Sequence, residues 1–387
     1  MGEKQRIRVG VIFGGRSGEH EVSLISAASV MAALDPTKYE VIPIGITKTG
    51  RWVTTGDPMA LLKAEARQDM KHLEAQIKRG ASPESGTREL VPGTQESGIP
   101  TVDVIFPVLH GPFGEDGTVQ GLLELADIPY VGAGVLGSAL GMDKIAQKAV
   151  FVTAGLPVCK HMPLKRKAWR ADPNGVIERV ESTLGYPCFV KPANLGSSVG
   201  ISKVRNREEL IRALDIAARY DRKMLVEEAI DAREIECSVL GNDEPEASVL
   251  GEIVPCNEFY DYEAKYLGDS QLIIPADLPP QTTEYIRSLA IRAFLALDLA
   301  GMARVDFFVS KSTGRVYVSE VNTIPGFTPI SMYPKLWEAS GLPYPRLLDR
   351  LIELALERYQ DTRQSQTYYN AERLAGFSQS ATGADEA

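Results

Sequence analysis

The run from Arg6 to Phe13 stops on two consecutive glycines, and a helical pattern starts directly after them. Ile7, Val9, Val11, Ile12 and Phe13 make that run a buried strand, which breaks at Gly14-Gly15. Val22, Ile25, Ser29, Ala32 and Ala33 then fall on one helical face. Tyr39 to Ile46 reads as a second strand, and Val102 to Leu109 as another that ends at His110-Gly111. Strands alternating with helices imply a parallel sheet flanked by helices. Such sheets hold ligands beyond the carboxyl ends of their strands, where the loops Gly14 to Glu21 and His110 to Thr118 begin.

At 387 residues the chain is too long for one ordinary domain, and two or three are expected. Thr54 to Pro100 is polar, with a charged helical stretch from Leu61 to Lys78 and a Ser/Gly/Pro-rich part after it, and reads as a peripheral insertion. From about Gly141 a smaller α/β unit follows. It has a helix (Lys144 to Ala154), a strand (Pro187 to Lys191), a glycine-rich loop (Asn194 to Gly200), a helix (Arg207 to Arg219) and a strand (Met224 to Glu228). The last third holds a wide loop (Asn257 to Ile274), a long helix (Thr282 to Leu297) and a hairpin (Arg304 to Val321). Ser378 to Ala387 reads as a disordered tail.

The net charge of −9 gives no sequence-independent grip on nucleic acid. No apolar stretch of about 18 residues marks a membrane span, and the N-terminus lacks the apolar core of a signal peptide. Cys159, Cys188, Cys237 and Cys256 are too scattered for a zinc site or a disulfide framework, so a reducing cytoplasm is expected.

Several patterns carry chemistry. Lys191-Pro-Ala-Asn-Leu-Gly-Ser-Ser-Val-Gly200 puts a lysine at a strand end before a Gly/Ser loop. Glycines admit phosphate oxygens to backbone N–H groups, although the Walker order is absent and an ordinary surface turn is the rival reading. In the hairpin Arg304 to Asn322, a three-residue turn Ser312-Thr313-Gly314 would pair Lys311 with Arg315. Counting outward, Asp306 faces Glu320 and Arg304 faces Asn322. A two-residue turn would move Glu320 to the other face. Opposed carboxylates with Cβ atoms about 4.5–5.5 Å apart repel unless cations intervene. Such a pair suits Mg²⁺ and nucleotide phosphates, with an unrelated solvated face as the rival. Pro325-Gly326 beside it exposes backbone donors for an oxyanion, or is merely a turn. Glu19 and Glu21 would repel phosphate, so the loop after the first strand suits a substrate ammonium, or Glu19 simply complements a helix N-terminus. Phe259 to Tyr266 is an aromatic, charged loop that closes over a site or packs on itself.

Together these patterns resemble D-alanine–D-alanine ligases of the ATP-grasp superfamily. The resemblance rests on Gly14 to Leu24, His110 to Gly121, Met142-Asp-Lys144, Lys191 to Gly200, Tyr260 to Tyr266, Arg304-Val-Asp306 and Glu320 to Gly326, in that order. It departs at Glu228-Ala229, where other members carry a lysine and an aromatic. It implies an α/β chain in which a Rossmann-like parallel-sheet domain (1–139) precedes a two-part α+β ATP-grasp fold (140–227 and 228–368), with a tail over 369–387.

The resemblance also implies roles. Lys144, Lys191 and Ser198 would bind ATP phosphates, Glu227, Ala229 and Ile230 the adenine, and Glu234 the ribose, with Phe259 also at the ATP site. Asp306, Glu320 and Asn322 would hold two Mg²⁺ ions, with Mn²⁺ as substitute. Glu19 would pair with the first D-alanine ammonium beside His110, Ser197 and Tyr266. Arg304, the Gly326 amide, Ser331 and Met332 would place the second D-alanine, and Lys265 would touch the transferred phosphate. The implied reaction forms D-alanyl-D-alanine for peptidoglycan through an acyl phosphate, in a homodimer. A ligase using D-lactate or D-serine, and an inactive nucleotide-binding module, are the alternatives. The presence of Tyr266 favours an amino acid as acceptor.

Overall fold

The structure is a computed structural model and describes residues 6–66, 101–196, 199–254 and 271–366. Three sheets follow one another along the chain. The first has the order β3-β2-β1-β4, from β1 (Ile7–Gly14), β2 (Tyr39–Ile46), β3 (Trp52–Val53) and β4 (Val104–Val108). β1 runs parallel to β2 and β4, and β3 is an antiparallel edge. Val9, Val11 and Phe13 pack on one side of β1 and Ile12 on the other, which is why apolar residues run consecutively from Val11 to Phe13.

Helix α1 (His20–Ala33) covers the Val9 side and α2 (Thr118–Leu125) the Ile12 side. The face of α1 differs from the sequence expectation. Ile25 is 54% exposed, whereas Ser23, Ser26, Ala27 and Val30 are buried. The serines are tolerated inside because they are hydrogen-bonded. Gly14 N donates to Ser23 Oγ (2.8 Å), which donates on to the Val108 carbonyl, lacing α1 to two strand ends.

After α3 (Val135–Met142) and α4 (Lys144–Thr153) comes the second sheet, antiparallel, of order β5-β8-β6-β7. Its strands are β5 (His161–Lys165), β6 (Cys188–Pro192), β7 (Ser202–Val204) and β8 (Lys223–Glu228), with helices α5 (Arg166–Ala171), α6 (Pro173–Thr183) and α7 (Arg207–Tyr220). Cys188, Val190, Met224 and Val226 pack against α6 and α7. Strand alternation therefore turns Phe189, Lys191 and Glu227 to the opposite face.

The third sheet is antiparallel with order β11-β10-β9-β12-β13, from β9 (Ala232–Gly241), β10 (Glu246–Val254), β11 (Gln271–Ile273), β12 (Gly301–Ser310) and β13 (Val316–Asn322). Helix α8 (Pro280–Ala296) packs on Ile235, Cys237, Val239, Val305, Phe307, Val316 and Val318. Helices α9 (Met332–Ala339) and α10 (Tyr344–Thr362) return to the first sheet. Leu347, Leu348 and Leu351 of α10 share one core with Val9 and Phe13.

The hairpin β12–β13 pairs Arg304 with Asn322 and Asp306 with Glu320, as counted from the sequence, but by another route. Ser310 N donates to Arg315 O and Gly314 N to Ser310 O, so the turn spans four residues, Lys311 to Gly314, not three. That turn pairs Val309 with Val316 and Phe307 with Val318, one residue out of the expected register. A bulge at Ser319 then restores the count. Without it, Glu320 and Asn322 would share the core face of Val316 and Val318.

Candidate active site

The face of the second sheet opposite α6 and α7 and the face of the third sheet opposite α8 line a cleft of about 690 Å³. One wall carries Phe189, Lys191 and Glu227. The other carries Glu234, Glu236, Arg304, Asp306, Phe308 and Glu320.

On the third sheet, pairing puts Glu236, Asp306 and Glu320 side by side across β9, β12 and β13. Three carboxylates on one rung need cations. Arg304, two residues along the same face, supplies one. It bonds both Asp306 oxygens (2.7 and 2.8 Å) and lies 3.1 Å from Glu236. Burial works against the guanidinium charge, but Asp306 and Glu236 outweigh it and hold Arg304 charged. Asn322 Nδ2 donates to Asp306 (2.9 Å), and Lys144 Nζ lies 3.2 Å from Glu320. Among the described residues no three His, Cys, Asp or Glu side chains converge as a ready metal cage. Two carboxylates and an amide on neighbouring strands nevertheless fit Mg²⁺, which takes few protein ligands and completes its shell with water and phosphate.

On the second sheet, Glu227 is 5% exposed and lies between two lysines, Lys148 Nζ at 2.7 Å and Lys191 Nζ at 2.5 Å. Burial alone would raise its carboxyl, but the ammoniums outweigh that and hold it far below the ordinary range. Glu227 and Glu320 in turn keep Lys191 above the usual lysine value, although burial opposes them. The Glu227 oxygens thus face lysines. The Ala229 amide donates to the Pro187 carbonyl (3.1 Å), so its own carbonyl is what Ala229 can offer a base. Ile230 and Glu234 line the same cleft.

A second, smaller opening of about 50 Å³ leads toward the first sheet, between Lys144, Gly196, Glu320, Asn322 and Glu115. Glu19 stands at the start of α1 and is pressed between two glycines. A Cβ on Gly196 would lie 2.7 Å from its Oε2, and one on Gly111 3.0 Å away. Glu115 accepts a hydrogen bond from Gly111 N (2.7 Å). Burial first, and then the Glu19 charge, push the Glu115 carboxyl up to about 8.

His110 is buried, with Nδ1 3.2 Å from the Ile324 carbonyl and Nε2 3.4 Å from Ser26 Oγ. It pins the loop after β13 to the first sheet. Ser331 Oγ accepts from Thr328 N (3.0 Å) and would lie 2.6 Å from a Cβ on Gly326, so the two residues are in close register. Met332 is buried against Ile253 and Leu336, with its sulfur facing Gly251. Ser197, Ser198, Phe259, Lys265 and Tyr266 lie outside the described residues.

The sequence reading missed Glu115, Lys148 and Glu236. Glu236 was within reach, because Glu234, Glu236 and Ser238 alternate with Ile235, Cys237 and Val239. Lys148 follows Lys144 by one helical turn and so shares its face.

Two family models match the chain: "D-ala D-ala ligase N-terminus" over residues 8–133 and "D-ala D-ala ligase C-terminus" over residues 150–353. A D-alanine--D-alanine ligase of Ruminiclostridium cellulolyticum is 54% identical over 371 residues, which span 93% of this chain and 98% of that protein. The solved D-alanine-D-alanine ligase from Coxiella burnetii is 39% identical, with a TM-score of 0.76 over 93% of this chain and 97% of its own. A D-Ala:D-Ser ligase from Enterococcus faecalis gives 38% identity and a TM-score of 0.76 over 91% of this chain and 100% of its own. With both halves matched in order and the two antiparallel sheets facing each other as an ATP-grasp fold, the chain belongs to the D-alanine–D-alanine ligase family.

Proposed function

We propose that this protein joins two D-alanine molecules at the expense of ATP, making D-alanyl-D-alanine for peptidoglycan. The observation that carries the reading is the cleft itself, with lysines on one wall and a carboxylate rung threaded by Arg304 on the other. ATP phosphates would lie between Lys191 and Lys144 on one side and Asp306, Glu320 and Asn322 on the other, with Ser198 adding a donor. Ala229, Ile230, Glu227 and Phe259 are assigned to the base side and Glu234 to the ribose. Mg²⁺, two ions with Mn²⁺ as substitute, would be held by Asp306, Glu320 and Asn322 and would neutralise phosphate charge.

Phosphoryl transfer needs positioning and charge neutralisation rather than an enzyme nucleophile. Glu19 pairs with the first D-alanine ammonium, beside Ser197, Tyr266 and the His110 loop. The carboxylate of that first D-alanine takes the γ-phosphoryl group, which Lys265 contacts, and ADP is left behind. The amine of the second D-alanine, placed by Ser331 and Met332, attacks the acyl phosphate. Arg304 and the Gly326 amide stabilise the tetrahedral oxyanion before phosphate leaves. Glu236 anchors Arg304 while Asp306 engages a cation.

We assign residues 1–139 to the substrate-binding domain, 140–227 and 228–368 to the two ATP-grasp parts, and 369–387 to a tail. The working enzyme is read as a cytoplasmic homodimer. Among the described residues no helix is long and apolar enough to cross a membrane. Likeness to the D-Ala:D-Ser ligase supports a second reading, with D-serine as acceptor. Phosphate release from MgATP with D-alanine alone, and with D-serine or D-lactate added, tests both when the products are weighed by mass spectrometry. D-alanyl-D-alanine as the main product upholds the first reading. A mixed product made in preference to it supports the second, and no turnover with any acceptor overturns both.

A further inference from the structure

Lys148 is a lysine buried within α4. Its side chain is 3% exposed, against 13% for Lys191, and of these two it is Lys191 that lines the large cleft. Burying an ammonium is costly unless it is paired and hydrogen-bonded. Lys148 is both: its Nζ meets Glu227 Oε1 at 2.7 Å and donates to the Ser319 carbonyl at 3.0 Å. Ser319 is the bulge residue that turns Glu320 into the cleft.

The charge count at this cluster explains the arrangement. Glu227 carries one negative charge and touches two ammoniums. If Lys191 alone faced Glu227, the pair would be neutral and little attraction would remain for an anion. With Lys148 on the other carboxylate oxygen, the cluster keeps one net positive charge, and Lys191 is the member that opens onto the cleft. We infer that Lys148 is a positioning residue of the nucleotide site, which balances Glu227 so that the Lys191 charge is available to phosphate and which ties that lysine wall to the bulge carrying Glu320. The inference rests on the nucleotide reading proposed above.

Calorimetric titration of ADP and of adenosine into the full-length protein separates this role from a merely structural one. The readout is the ratio of the two dissociation constants, which isolates the phosphate contribution from base contacts and from any loss of folded protein. Lys148→Met should weaken ADP by roughly tenfold or more while adenosine stays within about twofold, because the charge partner of a buried carboxylate has been removed. The double variant Lys148→Met/Glu227→Gln removes one positive and one negative charge together, so it should recover a ratio close to that of the wild type even if the single variant folds poorly. An unchanged ratio in Lys148→Met, or a double variant whose ratio stays collapsed, overturns the inference. A wild-type protein that binds neither ligand instead overturns the nucleotide reading itself.

Discussion

The first and third sheets place their chemistry in opposite ways. β1 is buried on both faces, so the first sheet has no face to offer a substrate. The groups proposed or found at its end of the site, Glu19, His110 and Glu115, stand in the loops at the strand ends. The third sheet packs one face on α8 and gives part of the other, beside α9, to the cleft, so Glu236, Arg304, Asp306 and Glu320 come from within strands. In the first arrangement, glycines that allow close loop approach set the geometry. In the second, strand parity does, and one residue of slippage moves a whole set of side chains to the other face.

The largest expected effect comes from breaking parity. Deleting Ser319 removes the bulge and forces a choice between Val316 and Val318 in the core and Glu320 and Asn322 in the cleft. Turnover should vanish, and stability should fall by at least about 3 kcal/mol, in the range of severe core disruptions. Urea unfolding and the phosphate-release assay read both. A deletion variant that keeps activity would show that the hairpin can take another register.

This hairpin also marks how far the sequence was legible. The opposition of Asp306 and Glu320 could be counted, yet the count passed through a turn one residue too short and a bulge it did not contain. The bulge had left a trace, since apolar residues fall at Val316, Val318 and then Val321, a step of three where a regular strand steps by two. On α1 the sequence misled for another reason. Apolar character pointed to Ile25, whereas the buried face includes Ser23 and Ser26, whose hydroxyls find partners outside the helix, some of them distant in the chain. Glu227 and Lys148 show the same limit: a sequence does not say which charges neutralise one another.

Arg304→Met comes next in size. It leaves the buried Glu236 and the part-buried Asp306 without their shared cation, and removing one partner of such a cluster costs up to about 3–5 kcal/mol. Turnover should be lost at the same time, because the guanidinium is also the proposed oxyanion partner. Added Mg²⁺ should recover part of the stability and none of the turnover, which a melting series across Mg²⁺ concentrations would reveal.

Glu115→Gln probes the loop side through pH. Folding raises this carboxyl from 4.5 to about 8, so between those values the folded protein holds a proton that the unfolded chain has released. Stability contributed by this site is therefore greatest below about pH 4.5 and is lost as pH rises toward 8, with a slope of at most about 1.4 kcal/mol per pH unit. The glutamine variant should flatten melting temperature against pH across that window. Identical slopes in the two proteins would mean that Glu115 is ionised at neutral pH in the fold.

Gly196→Ala should have the smallest effect, and it tests whether close approach rather than parity governs the loop side. Gly196 lies outside the positive-φ glycines, so backbone strain is not at issue. What matters is that the new Cβ would stand 2.7 Å from Glu19 Oε2, a distance that side chain must yield. The Glu19 carboxylate would be pushed away from the narrow opening shared with Glu115 and Lys144, and the KM for the first D-alanine should rise about tenfold, or about 1.4 kcal/mol. The KM for ATP and the unfolding midpoint should barely change, because the lysine wall and the rung are untouched. Gly111→Ala adds strain at φ 75° to a similar approach of 3.0 Å, so it should lose stability as well. A rise in KM from Gly196→Ala without loss of stability would locate the first substrate by steric contact with Glu19 alone. Equal losses in both variants would mean that the loops tolerate no side chain for reasons of folding, and that the glycines say nothing about where D-alanine sits.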